Sequence, residues 1–335
     1  MRTQKIMLKI KLTYPNWPIA RQTSHQGGVW GNYQFILDHT EKTCDYWVIF
    51  EGLSCGESAY CPKENTILIT AEPPTLKQYR PAFLDQFATV ITCRTDLKHP
   101  GTIIDQPGLP WHVGRSQKDH VNLSWSKDYD ELSAITQYEK RKELSVISST
   151  KAFSDGHRLR LAFVSTLQNH FGDRIDVFGR GIREIEDKWD ALAPYKYHIA
   201  IENCAVNDYW TEKISDPFLA GCHPIYYGCP NIEQYFPENA LTRIDLRQPE
   251  QAIAIIEECL RRKRYEESRQ EIQAARDAVL NRYNLFPMIA SHLDRLAQQG
   301  HGGGKSTKIH LVPETSGTVW DYCLRGMRTI SPRRS

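Results

Sequence analysis

The chain has 335 residues, of which 40% are hydrophobic and 24% charged, with a formal net charge of +2. This length exceeds one ordinary hydrophobic core and suits two domains of roughly 150 residues plus a short remainder. The near-balanced charge argues against nucleic acid as a partner, no run approaches the roughly 18 uncharged apolar residues of a membrane span, and nine scattered cysteines without ligand spacing read as reduced thiols rather than a metal site.

The opening, MRTQKIMLKIKLTYPNW, alternates Lys with apolar residues and lacks the apolar run of a signal peptide, so a cytoplasmic location is expected. Strand-like runs follow in KIMLKIKL, NYQFILDH, DYWVIFEG, NTILITAE and FATVITCR, separated by helical or irregular segments, which points to a parallel α/β sheet. The polar interval SQKDHVNLSWSKDYDELSAITQYEKRKE reads as a linker, with the domain boundary near residue 140.

Beyond it the periods are clearer. LSVISST is a strand, GHRLRLAFVSTLQNHF an amphipathic helix, RIDVFG a strand ending at glycine, and YHIAIEN, HPIYYG and ALTRID are further strands. TEKISDPFLAG is a helix capped by Thr211, and a long helical stretch is expected from Pro249 to about Asn281. This second half, 141–299, is a doubly wound domain. Residues 300–335 begin with the glycine-rich GHGGGKSTKIH and end in the basic RGMRTISPRRS, which reads as a loosely held tail able to make weak peripheral contact with anionic lipid at the inner face of a membrane.

In a doubly wound sheet ligands bind beyond the carboxyl ends of the strands, so residues just after strands are the candidates for function. YHIAIEN runs into Glu202 and Asn203, and a short loop leads to Thr211, Glu212 and Lys213 at a helix start. Free backbone N–H groups and the helix dipole favour a phosphate there, Lys213 adds a full charge, and Glu212 is able to orient ribose hydroxyls or brace the lysine. A solvated first turn is the plain alternative. After LSVISST, Arg158 and Arg160 open the next helix. A guanidinium grips phosphate oxygens with two donors, and because the two arginines point to different sides of the helix, one is expected to face a ligand. Glu72 ends the NTILITAE strand before Pro73 and Pro74, in the position of a general base, with Glu51 and Glu57 as competitors after DYWVIF.

IAIEN followed by YWTEK resembles the signature of glycosyltransferase family 10, the α-1,3/1,4-fucosyltransferases. The resemblance runs from about Leu144 to Tyr265, through IDVFGRG, the Arg160 helix and HPIYYGCPNIEQYFP; in the first half it is limited to TAEPP and FATVITCRTDLKHPG. It implies an α/β fold of two Rossmann-like domains with an inter-domain cleft (GT-B type), the first (1–140) choosing the acceptor and the second (141–299) holding a GDP-sugar. It further implies an inverting transfer of L-fucose from GDP-fucose to a glycan hydroxyl with no cofactor or metal required, in glycan biosynthesis such as lipopolysaccharide assembly. Carried over by residue, Lys213 and Arg160 would neutralise the diphosphate, Glu212 would hold ribose, Glu202, Asn203 and Tyr209 would shape the donor pocket, and Glu72 would be the base. The sequence departs from the family pattern at Ile201, Cys204 and Pro73. A different nucleotide sugar, or a non-catalytic glycan- or nucleotide-binding protein on the same fold, are the alternatives.

Two motifs are set aside. GHGGGKST lacks glycine at Gln299 and a preceding apolar strand, so it is not read as a phosphate loop. Asp128-Tyr129-Asp130 looks like a metal-binding Asp-x-Asp but lies in the polar interval.

Overall fold

A computed structural model describes residues 7–15, 17–74, 76–116, 124–150, 154–300 and 303–314. The basic C-terminal end, Cys323 and the expected lipid contact lie outside these residues. The chain divides into two compact units, one of 1–18, 28–107 and 290–335, the other of 19–27 and 108–289. The polar interval around residue 130 thus belongs to the second unit, as does the excursion 19–27.

The first unit contains β1 (Leu8–Thr13), β2 (Val29–Trp30), β3 (Tyr33–Ile36), β4 (Tyr46–Phe50), β5 (Glu57–Cys61), β6 (Thr66–Ile69), the short α1 (Pro81–Leu84), β7 (Thr89–Thr92) and β8 (Thr102–Ile104). Seven of these strands form one sheet in the order β2-β3-β1-β4-β6-β7-β8, parallel except for β2 on β3. Every residue of YWVIF in β4 and TILI in β6 is buried, as expected of central strands covered on both faces.

The second unit starts with an antiparallel pair, β9 (Arg115–Ser116) and β10 (Ser124–Trp125), and α2 (Tyr129–Ala134). Then come β11 (Lys142–Ile147), α3 (Asp155–Phe171), β12 (Ile175–Phe178), β13 (Tyr195–Ile201), α4 (Glu212–Leu219), β14 (His223–Tyr227) and β15 (Thr242–Arg243). The five strands from β11 onward are parallel, in the order β12-β11-β13-β14-β15. Phe163 and Leu167 of α3, Ile199 of β13 and Phe218 of α4 belong to the apolar core around this sheet.

The helical stretch after Pro249 is three helices rather than one: α5 (Pro249–Arg261), α6 (Arg264–Glu267) and α7 (Arg269–Asn281). The break falls at Lys263, which takes a left-handed conformation with φ 55°, so the i to i−4 ladder cannot pass through it. α8 (Leu285–Gln298) follows. The glycine-rich tail is held more firmly than its composition suggests, since Thr307–Leu311 forms β16, antiparallel to β5. A strand follows GKS, where a phosphate loop would need a helix. The eight cysteines among the described residues carry no disulfide, and no described helix is long and apolar enough to cross a membrane.

Candidate functional site

Numbered by their order in the chain, the strands of the second sheet run 2-1-3-4-5. In that topology the chain leaves the first and third strands toward opposite sides, and a crevice opens between their carboxyl ends. A cavity of about 150 Å³ lies there, lined by Ser148 and Ser149 after β11, Ile199, Ala200 and Ile201 of β13, Arg160 of α3, Lys188, and Glu212, Lys213 and Asp216 of α4.

Ser154 starts α3 by accepting a hydrogen bond from the His157 N–H. Gly156 in the first turn is held against β13's exit, where a Cβ would stand 1.8 Å from the Asn203 carbonyl oxygen; only glycine permits that approach. One turn further on, Arg160 Nη1 donates to Asn203 Oδ1 at 2.7 Å and Nη2 donates to the Ser149 carbonyl at 3.2 Å. The guanidinium is thereby stretched across the ends of the first and third strands, the place where a phosphate would sit. Arg158 points elsewhere: it is exposed, pairs with Asp155, and does not line the cavity.

The other wall is the start of α4. Glu202, 1% exposed, accepts from the Thr211 N–H at 2.8 Å, from the Thr211 hydroxyl at 2.9 Å and from Lys213 Nζ at 3.0 Å. The Thr211 hydroxyl also caps the helix through the Lys213 N–H. Glu202 is therefore a buried anchor for the helix start rather than part of the cavity wall. Burial works against the Lys213 charge, but Glu202 and Glu212 outweigh it and hold the ammonium above its usual pKa.

A second ion-pair system completes the wall. Lys188 Nζ lies 3.2 Å from Glu212 Oε1 and 3.3 Å from Asp216 Oδ2, and His112 Nδ1 lies 3.5 Å from the same Glu212 oxygen. Asp216 Oδ1 accepts the N–H groups of His112 at 2.9 Å and Val113 at 3.2 Å, which ties the 112–113 loop to α4. Burial opposes ionisation of Glu212, yet Lys188, His112 and Lys213 hold it well below the usual carboxylate range. Asp216 is more deeply placed, and burial, only partly offset by Lys188, pushes it up to about 6. The cavity thus presents three cations, Arg160, Lys188 and Lys213, each steered by a carboxylate or amide.

Of the residues singled out in the sequence, Arg160, Glu212 and Lys213 meet at the cavity; Glu202, Asn203 and Thr211 support them from behind; Arg158 and Tyr209 do not line it. Lys188, Asp216 and His112 were not foreseen. Lys188 opens a single 3-10 turn, Lys188–Ala191, too short to leave a periodic signal in the sequence, whereas Asp216, a carboxylate inside the apolar run ISDPFLAG, is a visible anomaly.

In the first unit, Glu72 follows β6 at its carboxyl end and is half-buried. Its N–H donates to Glu51 Oε1 at 2.8 Å. Of the competitors for the base, Glu51 is buried and paired with Lys77 at 2.9 Å, and Glu57 opens β5 and lies 3.4 Å from the buried Lys11. The Asp-x-Asp carboxylates have structural duties: Asp128 caps α2 in a reciprocal pair with Glu131, and Asp130 accepts from the Ser24 hydroxyl at 2.7 Å and the His25 N–H at 2.6 Å.

Two parallel doubly wound α/β units, with a cation-lined crevice at the switch point of the second, define a protein of the GT-B type. Residues 137–266, which carry every residue lining the cavity, match the family model for the C-terminal domain of glycosyltransferase family 10 (fucosyltransferase). The chain is 34% identical over 142 residues to alpha-(1,3)-fucosyltransferase B of Drosophila melanogaster, covering 42% of this chain and 30% of that protein. It is 44% identical over 54 residues to GDP-fucose protein O-fucosyltransferase 3 of Danio rerio, covering 16% and 12% respectively. The matches thus span less than a third of these relatives' length. A crystal structure of an alpha1,3-fucosyltransferase with GDP shares the fold, with a TM-score of 0.50 and 16% identity over 85% of this chain and 94% of that one.

Proposed function

We propose that the protein is an inverting glycosyltransferase that moves L-fucose from GDP-fucose to a hydroxyl of a glycan acceptor. The observation that carries this reading is the crevice between β11 and β13, where Arg160, Lys188 and Lys213 converge beside the start of α4 inside the family 10 segment. Three cations in one small cavity suit a diphosphate, whose charge grows as the sugar departs; fixed positive groups then bind the transition state better than the ground state. Glu212, held ionised beside Lys188, supports this reading as an acceptor of hydrogen bonds from ribose hydroxyls. The donor sugar is drawn from the relatives' names, which specify fucose.

In this mechanism the acceptor hydroxyl attacks the anomeric carbon as its proton passes to the Glu72 carboxylate. The bond from that carbon to the phosphate oxygen breaks, and GDP leaves with the electron pair. A single displacement inverts the configuration, and the charge of the leaving group is met by side chains.

One observation favours a second acceptor class. The relative that is 44% identical over 54 residues is, by its name, a protein O-fucosyltransferase. Incubation with GDP-fucose and parallel panels of oligosaccharides and of folded proteins, with product configuration read by NMR, tests both. Transfer with inverted configuration is expected. Retention of configuration, or turnover with another nucleotide sugar but none with GDP-fucose, contradicts the proposal.

A further inference from the structure

Glu51 occupies an unusual position. It is the first residue after β4, is 4% exposed, and takes a left-handed backbone conformation with φ 68°. A non-glycine residue is rarely kept there unless its surroundings demand it, and such residues gather at functional sites. Its neighbour strand in the sheet is β6, whose end leads to Glu72.

The side chain shows what the conformation achieves. Oε1 accepts the N–H groups of two consecutive residues, Ala71 and Glu72, and the hydroxyl of Tyr79 at 3.2 Å. Oε2 faces Lys77 Nζ at 2.9 Å, and the same ammonium donates to the Glu51 carbonyl. Lys77 is in turn fixed through its own carbonyl, which accepts from Arg94 Nη1, while Arg94 forks onto Asp96 at 3.0 and 2.6 Å. Pro73 and Pro74 follow Glu72, and Pro has no N–H to continue a ladder. The carboxylate of Glu51 thus takes over as hydrogen-bond partner where the β6 ladder stops.

A buried ion pair needs a reason, because a well-packed apolar pair of the same volume often serves stability equally well. Here one carboxylate oxygen gathers adjacent amides of the peptide that carries Glu72, and this fixes the direction of the Glu72 Cα–Cβ bond. We infer that Glu51 is a positioning residue for the proposed reaction, holding the general base Glu72 in the orientation needed to receive the acceptor proton. The inference rests on the reading of Glu72 as base. It also removes Glu51 as a rival for that role, since its oxygens are already engaged by N–H, O–H and ammonium donors.

The test is a double-mutant cycle on the full chain with Glu51→Gln, Glu72→Gln and their combination, together with Glu51→Asp. Shortening by one methylene keeps the charge beside Lys77 but withdraws the carboxylate from the 71–72 amides, so this variant separates positioning from ion pairing if Glu51→Gln folds poorly. Both Glu51 variants are expected to lower kcat by about tenfold or more, a usual scale for a misplaced reacting group, with GDP affinity unchanged. Glu51→Gln is expected to add nothing in the Glu72→Gln background, because a group that acts only through another has no separate effect once the other is gone. A folded Glu51→Asp with full kcat, or losses that multiply in the double variant, overturns the inference while leaving Glu72 as base. A near-normal rate for Glu72→Gln overturns the base reading and the inference with it.

Discussion

The Lys213 ammonium lies 3.0 Å from a Glu202 carboxylate that is cut off from solvent, while a quarter of the lysine side chain remains exposed. The lysine therefore neutralises the buried anion behind it while its exposed part faces the cavity proposed to take the diphosphate. Lys213→Ala should weaken GDP binding by tenfold or more, about 1.4 kcal/mol. It should also destabilise the fold, on the order of 2 kcal/mol, because it leaves Glu202 without its ammonium in a buried site. Adding Glu202→Gln should recover much of the stability and none of the GDP affinity. Chemical denaturation and calorimetry on the two variants check this, and recovery of both together would show that the lysine is structural only.

Arg160→Lys should not behave as a conservative change. The guanidinium reaches Asn203 and the Ser149 carbonyl with separate nitrogens, a fork that a single ammonium cannot reproduce. GDP affinity should fall about tenfold with little change in unfolding temperature, on the scale of losing one charge-assisted hydrogen bond. Equal affinity would remove Arg160 from the phosphate site.

Gly156→Ala should damage the site from behind. The added methyl would meet the Asn203 carbonyl at 1.8 Å, so α3 and the end of β13 must separate, and the Arg160–Asn203 bond with them. Donor affinity and stability should drop together. Donor affinity and stability that both match the unsubstituted protein would contradict the role assigned to Gly156.

Acid should unfold the protein through its buried imidazoles. His223 has a hydroxyl at 2.8 Å from each ring nitrogen, from Ser268 and Thr242, and burial pulls its pKa down to about 3. His198, buried beside Ser145, is lowered to about 3 for the same reason. Since both fold as neutral rings, their stabilisation is complete above the unfolded value of about 6.5 and is lost as pH falls toward 3. Asp216 acts in the opposite sense. With its pKa raised to about 6, the fold favours its protonated form, so its contribution is largest below the unfolded value of about 4 and is lost as pH rises through 6. His223→Gln should reduce the acid-side slope of stability by about one proton, and Asp216→Asn should steepen the net slope between pH 4 and 6. Unchanged slopes in urea titrations at several pH values would contradict these assignments.

The sequence was most legible where burial on both faces leaves a continuous apolar run. YWVIF, TILI and YHIAI stand out without any context, as does the amphipathic helix that delivers Arg160. β5 and β16 were missed because ESAYC and TKIHL are short, mixed in polarity, and become strands only by pairing with each other across the chain. The site followed the same division. Arg160, Glu212 and Lys213 were visible because strand ends and helix starts are where an α/β sheet places chemistry. Lys188 comes from a single 3-10 turn and His112 from a loop, and only the tertiary structure brings them to Glu212. The family resemblance implies a pocket role for Glu202, whereas its side chain turns back to hold Thr211 and Lys213.

The central claim is that the crevice between β11 and β13 binds a guanosine diphosphate through Arg160 and Lys213. Isothermal titration of the protein with GDP, UDP and CMP, repeated on Arg160→Ala, measures it directly. Binding of GDP at least about tenfold tighter than UDP or CMP, lost in the variant, is the predicted result; equal binding of all three nucleotides, or GDP binding that survives in Arg160→Ala, would contradict it.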